Sequence, residues 1–258
     1  MLAETSNDKP IKLVGALSQG SLVTGKVAKE VNVFLNDRVI KVTPKGEFVL
    51  GFGRDSDLIQ TLSFESEGKY LSKQRINLTK REYKIQRVEG VPQKMVTPDP
   101  SKTARINADS KLVRTARKQS LDIEYFLQIF TPPSDGPITG VYGSQRVYNG
   151  TPKRPHYGLD YAAPVGTIVY APASGVVTLT HDDMYYSGGT LIIDHGYGVS
   201  STFLHLSAIL VQEGDKITQG DPIAKVGKGG RSTGPHLDWR INWFDVRLDP
   251  QLVLERYK

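Results

Sequence analysis

The apolar residues of this chain come in short runs, and nearly every run is closed by glycine, proline, aspartate or asparagine. A helix needs ten or more residues of 3.6-residue periodicity to present an apolar stripe, so runs of four to eight are read as β-strands. In the first half these are LVTGKV, VNVFL, VIKV, EFVLGF and IQTLSFE, with Asn36-Asp37, Lys45-Gly46 and Glu67-Gly68 as turns between them. In the second half they are GTIVYAP, GVVTLT, GTLIIDHG, VSSTFLHL and DPIAKVG. Between the two sets, prolines at 92, 98 and 100 interrupt a polar stretch that can be neither strand nor helix interior. A helix capped by Asn107 or Asp109 and running to about Arg117 is expected beyond it. The predicted fold is therefore all-β. It comprises an N-terminal β-sandwich-like domain (1–90), a Pro-rich linker with a short helix (91–125), and a C-terminal antiparallel β-sheet domain (126–258).

Charge divides the chain at the same place. Residues 1–120 hold 22 Lys+Arg against 13 Asp+Glu, a net +9, whereas residues 121–258 hold 11 against 14, a net −3. The basic first half suits an anionic polymer as partner. Nucleic acid is not expected, because neither an aromatic-interleaved platform nor zinc-finger spacing accompanies the charge. The absence of cysteine excludes thiolate nucleophiles, disulfides and cysteine-ligated zinc. No run of 18 apolar residues occurs, so no membrane-spanning helix is expected, and Met1–Pro10 lacks the basic and apolar regions of a signal peptide.

All five histidines fall after residue 150. His156 and Asp160 are four apart in PHYGLD, and a straight strand would hold their α-carbons about 13 Å apart, so sharing a metal requires a bend, for which Gly158 is placed. A His and Asp pair suits zinc. His236 and Asp238, two apart in PHLDWR, share one strand face about 7 Å apart, with Leu237 toward the core. His205 in FLHLS alternates with leucines and, by itself, reads more readily as a hydrogen-bonded structural histidine than as a catalyst.

Together these groups resemble the lysostaphin-type (LytM-like) zinc metallopeptidases, which cut peptide cross-links of bacterial cell walls. The resemblance spans about Tyr142 to Asp249 and runs in family order: YGSQR, PHYGLDYAAPVGTIVYAPASGVV, the IIDHG strand, FLHLS, EGDKITQGDPIAKVG and GRSTGPHLDWR. It implies a sheet with an open groove, Zn²⁺ as cofactor, peptidoglycan peptides as substrate, and a periplasmic or extracellular location. It further implies that His156 and Asp160 are zinc ligands and that His205 and His236 are the catalytic histidines serving the attacking water and the oxyanion. The remaining family ligand, normally the second histidine of His-x-His, is here Asp238. Aspartate can ligate zinc through oxygen, though two anionic ligands weaken the Lewis acid.

Arg146 could hold a substrate carboxylate or simply pair with a neighbouring acid, and Tyr185 and Tyr186 could line a peptide groove or be ordinary strand packing. His195 reads as a turn residue at a strand end. The expected function is a zinc-dependent endopeptidase acting on peptidoglycan. The alternative is a catalytically inactive, groove-binding relative that regulates other cell-wall hydrolases, with Asp238 as its argument. A biotinyl- or lipoyl-like carrier is disfavoured, because the modified-lysine turn is missing.

Overall fold

The structure, a computed structural model, describes residues 10–89 and 100–257. Its secondary structure is dominated by antiparallel strands, as the short apolar runs require. The first half forms two small sheets. One joins Leu13–Val14, Leu22–Lys26 and Glu47–Gly51; the other joins Arg38–Ile40, Val31–Leu35, Ile59–Ser66 and Lys69–Asn77. The strand Lys69–Asn77 has no counterpart in the sequence reading. It lies at a sheet edge and is mostly exposed, so its polar text carries little apolar signal. Asn36 and Asp37 have φ of 47° and 66°, the pair of left-handed residues that closes a two-residue hairpin with the twist of its strands.

The second half is built on a large sheet whose central strands are Gly175–Met184, Gly188–Gly196, Val199–Ile209, His236–Trp243 and Leu159–Ala162, each antiparallel to the next. Period-2 alternation divides its faces. Leu237, Trp239, Ile241 and Trp243 point into the core, so Asp238, Arg240 and Asn242 must point to the opposite face.

The two halves share one apolar core. Strand Glu47–Gly51 packs against Trp243 and Leu248, and a methyl group added at Gly51 would lie 2.8 Å from the Trp243 side chain. Strand Ile85–Val88 also pairs in parallel with Gln145–Tyr148. Pro100–Lys102 forms a short 3₁₀ turn, and the helix that follows runs from Thr103 to Lys118. It begins earlier than the expected cap at Asn107 or Asp109. Both residues lie inside it, and Asp109 Oδ2 instead accepts from the Tyr185 backbone N–H at 2.7 Å. Val113 and Ala116 pack on Leu179, Met184 and Ile192, which seats this helix on the sheet face that carries Asp238.

Candidate metal centre and groove

Strand register assembles the site. Gly140, Asp160, Asp238 and Leu204 lie abreast on four adjacent strands. His156 reaches the same point from the segment before Leu159, where the chain bends at Gly158 as the spacing of His156 and Asp160 demanded. The ligand atoms of His156, Asp160 and Asp238 all lie within 4.8 Å of one another, forming the one such His/Asp/Glu group among the described residues. His156 Nε2 and Asp160 Oδ1 are 3.1 Å apart, yet neither atom has a properly aligned hydrogen-bond partner. Two buried, unpartnered donor atoms converging beside a third carboxylate fit a divalent cation, since zinc takes nitrogen and oxygen donors at about 2.0–2.2 Å. Burial pushes the His156 imidazole down, but the Asp160 and Asp238 carboxylates outweigh it and raise its pKa.

Two glycines make room for these carboxylates. A Cβ on Gly158 would lie 2.0 Å from Asp238 Oδ1, and one on Gly140 would lie 2.1 Å from Asp160 Oδ2. Gly158 thus has a second role, as a vacant cradle for the aspartate that stands where imidazole is usual.

Asp238 is 2% exposed and is clasped by a residue that the sequence reading passed over. Arg240 Nε donates to Oδ1 and Oδ2 at 3.0 and 3.1 Å, and its Nη2 donates to Oδ2 at 2.5 Å. Burial alone would raise the Asp238 pKa; Arg240 reverses this and brings it down to about 2. The signal was present in HLDWR, because residues two apart on a strand share a face. A carboxylate has four lone-pair sites, so it can accept from arginine and still ligate a cation. The clasp also answers the excess of negative charge. Two carboxylates, one imidazole and one guanidinium carry the same net −1 as the two imidazoles and one carboxylate of the usual set.

His205 and His236 stand together with ring centroids 4.7 Å apart. His205 Nδ1 is 2.8 Å from the Gly229 carbonyl and His236 Nδ1 is 2.9 Å from that of Gly234. A carbonyl only accepts, so Nδ1 carries a proton in both rings and Nε2 is the nitrogen each ring leaves free for chemistry. His205 has φ 63°, which breaks the simple alternation assumed for FLHLS. Burial lowers its pKa and favours the neutral ring.

The other expected site residues are dispersed. Arg146 is exposed on the hairpin strand Gln145–Tyr148, where Nη1 donates to the Tyr148 hydroxyl at 3.3 Å. Tyr185 and Tyr186 stack edge to face at 4.8 Å, Tyr185 beside Arg105 of the helix and Tyr186 beneath Arg231. His195 is not the turn residue expected but lies within strand Gly188–Gly196. It is fully buried between the Ser174 carbonyl and the Ser201 hydroxyl, and burial lowers its pKa to about 4.

One face of the antiparallel sheet thus bears a His, Asp, Asp cluster beside a pair of histidines, a donor set that suits a divalent cation. Residues 154–250 match the model of Peptidase family M23. The peptidoglycan DD-endopeptidase ShyA of Vibrio cholerae is 44% identical over 87 residues, which are 34% of this chain and 20% of that protein. ShyB of the same organism, also a peptidoglycan DD-endopeptidase, is 34% identical over 136 residues, 52% of this chain and 29% of that one. These matched regions thus span less than a third of the curated relatives' length. A crystal structure of a Pseudomonas aeruginosa protein assigned to peptidase M23 superposes over 95% of this chain and 97% of that one, with a TM-score of 0.74 and 25% identity. The likeness of fold therefore extends through the N-terminal half.

Proposed function

We propose that this protein is a zinc-dependent endopeptidase that hydrolyses peptide cross-links of peptidoglycan, acting in the periplasm or outside the cell. The convergence of His156, Asp160 and Asp238 beside the His205–His236 pair carries this reading. His156, Asp160 and Asp238 would hold the metal. Zinc, when bound, supplies a Lewis acid in the groove. The Nε2 atom of His205 or His236 takes a proton from the attacking water and returns it to the leaving amine nitrogen as the C–N bond breaks, while the other ring, when it holds a proton taken from solvent, stabilises negative charge developing on the scissile carbonyl oxygen. Arg240 holds the Asp238 carboxylate in one orientation and offsets its charge. The relatives' activity on peptidoglycan supports the substrate class, and the net +9 of residues 1–120 supports contact with anionic envelope polymers. Among the described residues no helix is long and apolar enough to cross a membrane.

The test is elemental analysis together with mass spectrometry of purified cross-linked wall peptides incubated with the full chain. Stoichiometric zinc and cleavage, both lost in His156→Ala, are expected. Zinc without cleavage would instead favour the groove-binding, regulatory alternative, for which the Arg240-clasped aspartate in place of histidine is the supporting observation. The absence of both zinc and cleavage would refute the assignment.

A further inference from the structure

Beyond Asp238, the same sheet face continues into a buried polar layer that the proposed chemistry does not use. Strand register sets Thr202 beside Arg240, and in the next row Ser200, Asn242 and Arg247 lie abreast. Above them the last turn of helix Thr103–Lys118 brings Arg117 down, its Nη2 donating to Thr202 Oγ1 at 3.0 Å. Arg117 is 8% exposed, Ser200 3% and Asn242 0%. Five of their side-chain atoms are buried without a hydrogen-bond partner: Arg117 Nε, Ser200 Oγ, both amide atoms of Asn242, and Arg247 Nη1.

Charge makes the layer more unusual. Neither Arg117 nor Arg247 forms an ion pair among the described residues. The nearby Asp238 is already clasped by Arg240, and Asp194, in the same row as Ser200, spends its oxygens on the N–H groups of Leu121 and Gly196. Burial lowers the pKa of Arg247 to about 10 and Arg240 reinforces this; burial likewise lowers that of Arg117, with Arg247 and then Arg240 adding to it. A guanidinium does not give up its proton at neutral pH, so it cannot escape the penalty by becoming neutral, as a buried lysine does. Buried cations of this kind are paired or coordinate a ligand. Guanidinium forks, an amide NH₂ and a hydroxyl together form a donor set matched to a planar or tetrahedral oxyanion.

We propose that Arg117, Asn242, Ser200 and Arg247 form an anion-binding site for a carboxylate or small oxyanion, under the end of helix Thr103–Lys118 and apart from the metal ligands. The ligand ties this helix to the sheet. Arg247 also lies 5.7 Å from the Tyr157 ring, next to His156, so occupancy bears on the segment that carries the first metal donor. The anion is either a small resident ion or a free carboxylate of the bound peptide. Only the second source rests on the peptidase reading.

The experiment is thermal unfolding of the metal-free full chain, dialysed into a zwitterionic buffer and titrated with sodium sulfate at constant ionic strength. A saturable rise of roughly 5 °C at a hundredfold excess over Kd is expected. Arg117→Met should lose that response, while in sulfate-free buffer it should unfold no lower than the parent, because an uncompensated buried charge has been removed. Asn242→Asp supplies a tethered carboxylate. It should raise the sulfate-free Tm and abolish the sulfate response. A selenate-soaked crystal should show an anomalous peak between Arg117 and Arg247. A parent curve that does not saturate, or an Asn242→Asp chain less stable than the parent in sulfate-free buffer, would overturn the site, as would a soaked crystal without the peak. A peptide with a free C-terminal carboxylate that competes with sulfate, where its amide does not, would identify the substrate as the source. Sulfate binding without peptide competition would identify a resident ion. Because the protein is metal-free throughout, failure of the site and failure of the peptidase reading are read separately.

Discussion

Replacing Arg240 with methionine removes the fork from Asp238 and keeps most of the apolar stem. The carboxylate, 2% exposed in the parent, then loses its three contacts at 2.5–3.1 Å. Breaking a buried ion pair from one side costs about 3–5 kcal/mol, since the remaining charge has neither water nor partner. Asp238 also lies within the field of Arg117 and Arg247, which keep part of the compensation, so the lower figure of about 3 kcal/mol applies. For a chain of this length that lowers Tm by roughly 6–12 °C in the presence of a chelator. Zinc supplies the missing positive charge. Saturating zinc should therefore raise the Tm of Arg240→Met by more than it raises that of the parent, and the two chains should nearly converge. Differential scanning fluorimetry in EDTA and in excess zinc measures both numbers. Equal Tm values in EDTA would show that the clasp contributes nothing. Equal zinc increments would show that Asp238 does not face the metal, which would leave the two-residue donor set His156 and Asp160 unable to support the proposed centre.

Other outcomes follow from individual residues. Gly140→Ala and Gly158→Ala place a methyl group about 2 Å from a carboxylate oxygen of Asp160 and Asp238 respectively, and a forced shift of about 1–3 kcal/mol should weaken zinc binding by about 5- to 150-fold in chelator competition. Unchanged affinity would remove that carboxylate from the ligand set. His205→Ala and His236→Ala should each retain stoichiometric zinc while lowering peptide cleavage about 10²-fold or more, which separates proton handling from metal holding. His195 should make the fold acid-sensitive: its folded pKa is about 4 against an unfolded 6.5, so the unfolded chain binds the extra proton first as pH falls. About 3 kcal/mol of stability, fully present above pH 6.5, should drain away between pH 6.5 and 4 in urea titrations, and a flat profile would show that the buried ring is protonated in place. Deleting residues 1–120 should expose the Trp243 and Leu248 surface that covers Gly51 and should produce strong binding of a hydrophobic dye by fragment 121–258; a dye-silent, monomeric fragment would mean that the second half folds alone.

The strand text of the second half was legible because each strand is short, apolar and punctuated, and a strand's side-chain period is local information. GTLIIDHG and VSSTFLHL became Gly188–Gly196 and Val199–Ile209, and the predicted common face of His236 and Asp238 is the face the sheet presents. The bend at Gly158 was likewise demanded by the spacing of two ligands. Local text failed where the outcome depended on what lies across the sheet. Lys69–Asn77 is a strand because Ile59–Ser66 offers it an edge, not because its own residues are apolar. The helix Thr103–Lys118 could be expected in the chain, but its seat on the groove face could not, since Val113, Ala116 and Arg117 find partners 60 to 90 residues away.

The same division runs through the site. Ordered motifs that resemble a known family were enough to put forward His156, Asp160, His205, His236 and Asp238 as the candidate set. Tertiary structure decided how the aspartate at 238 is tolerated, by leaving Gly158 without a side chain against it and by turning Arg240 onto it. It also decided that Arg117 and Arg247, 130 residues apart in sequence, lie within each other's electrostatic reach, neither in an ion pair among the described residues. A residue's chemistry is carried by its own side chain and is readable in one dimension. Its ionisation and its usefulness depend on distances of a few ångströms and on how much water is excluded, and those quantities exist only once strands from distant parts of the chain have taken their register.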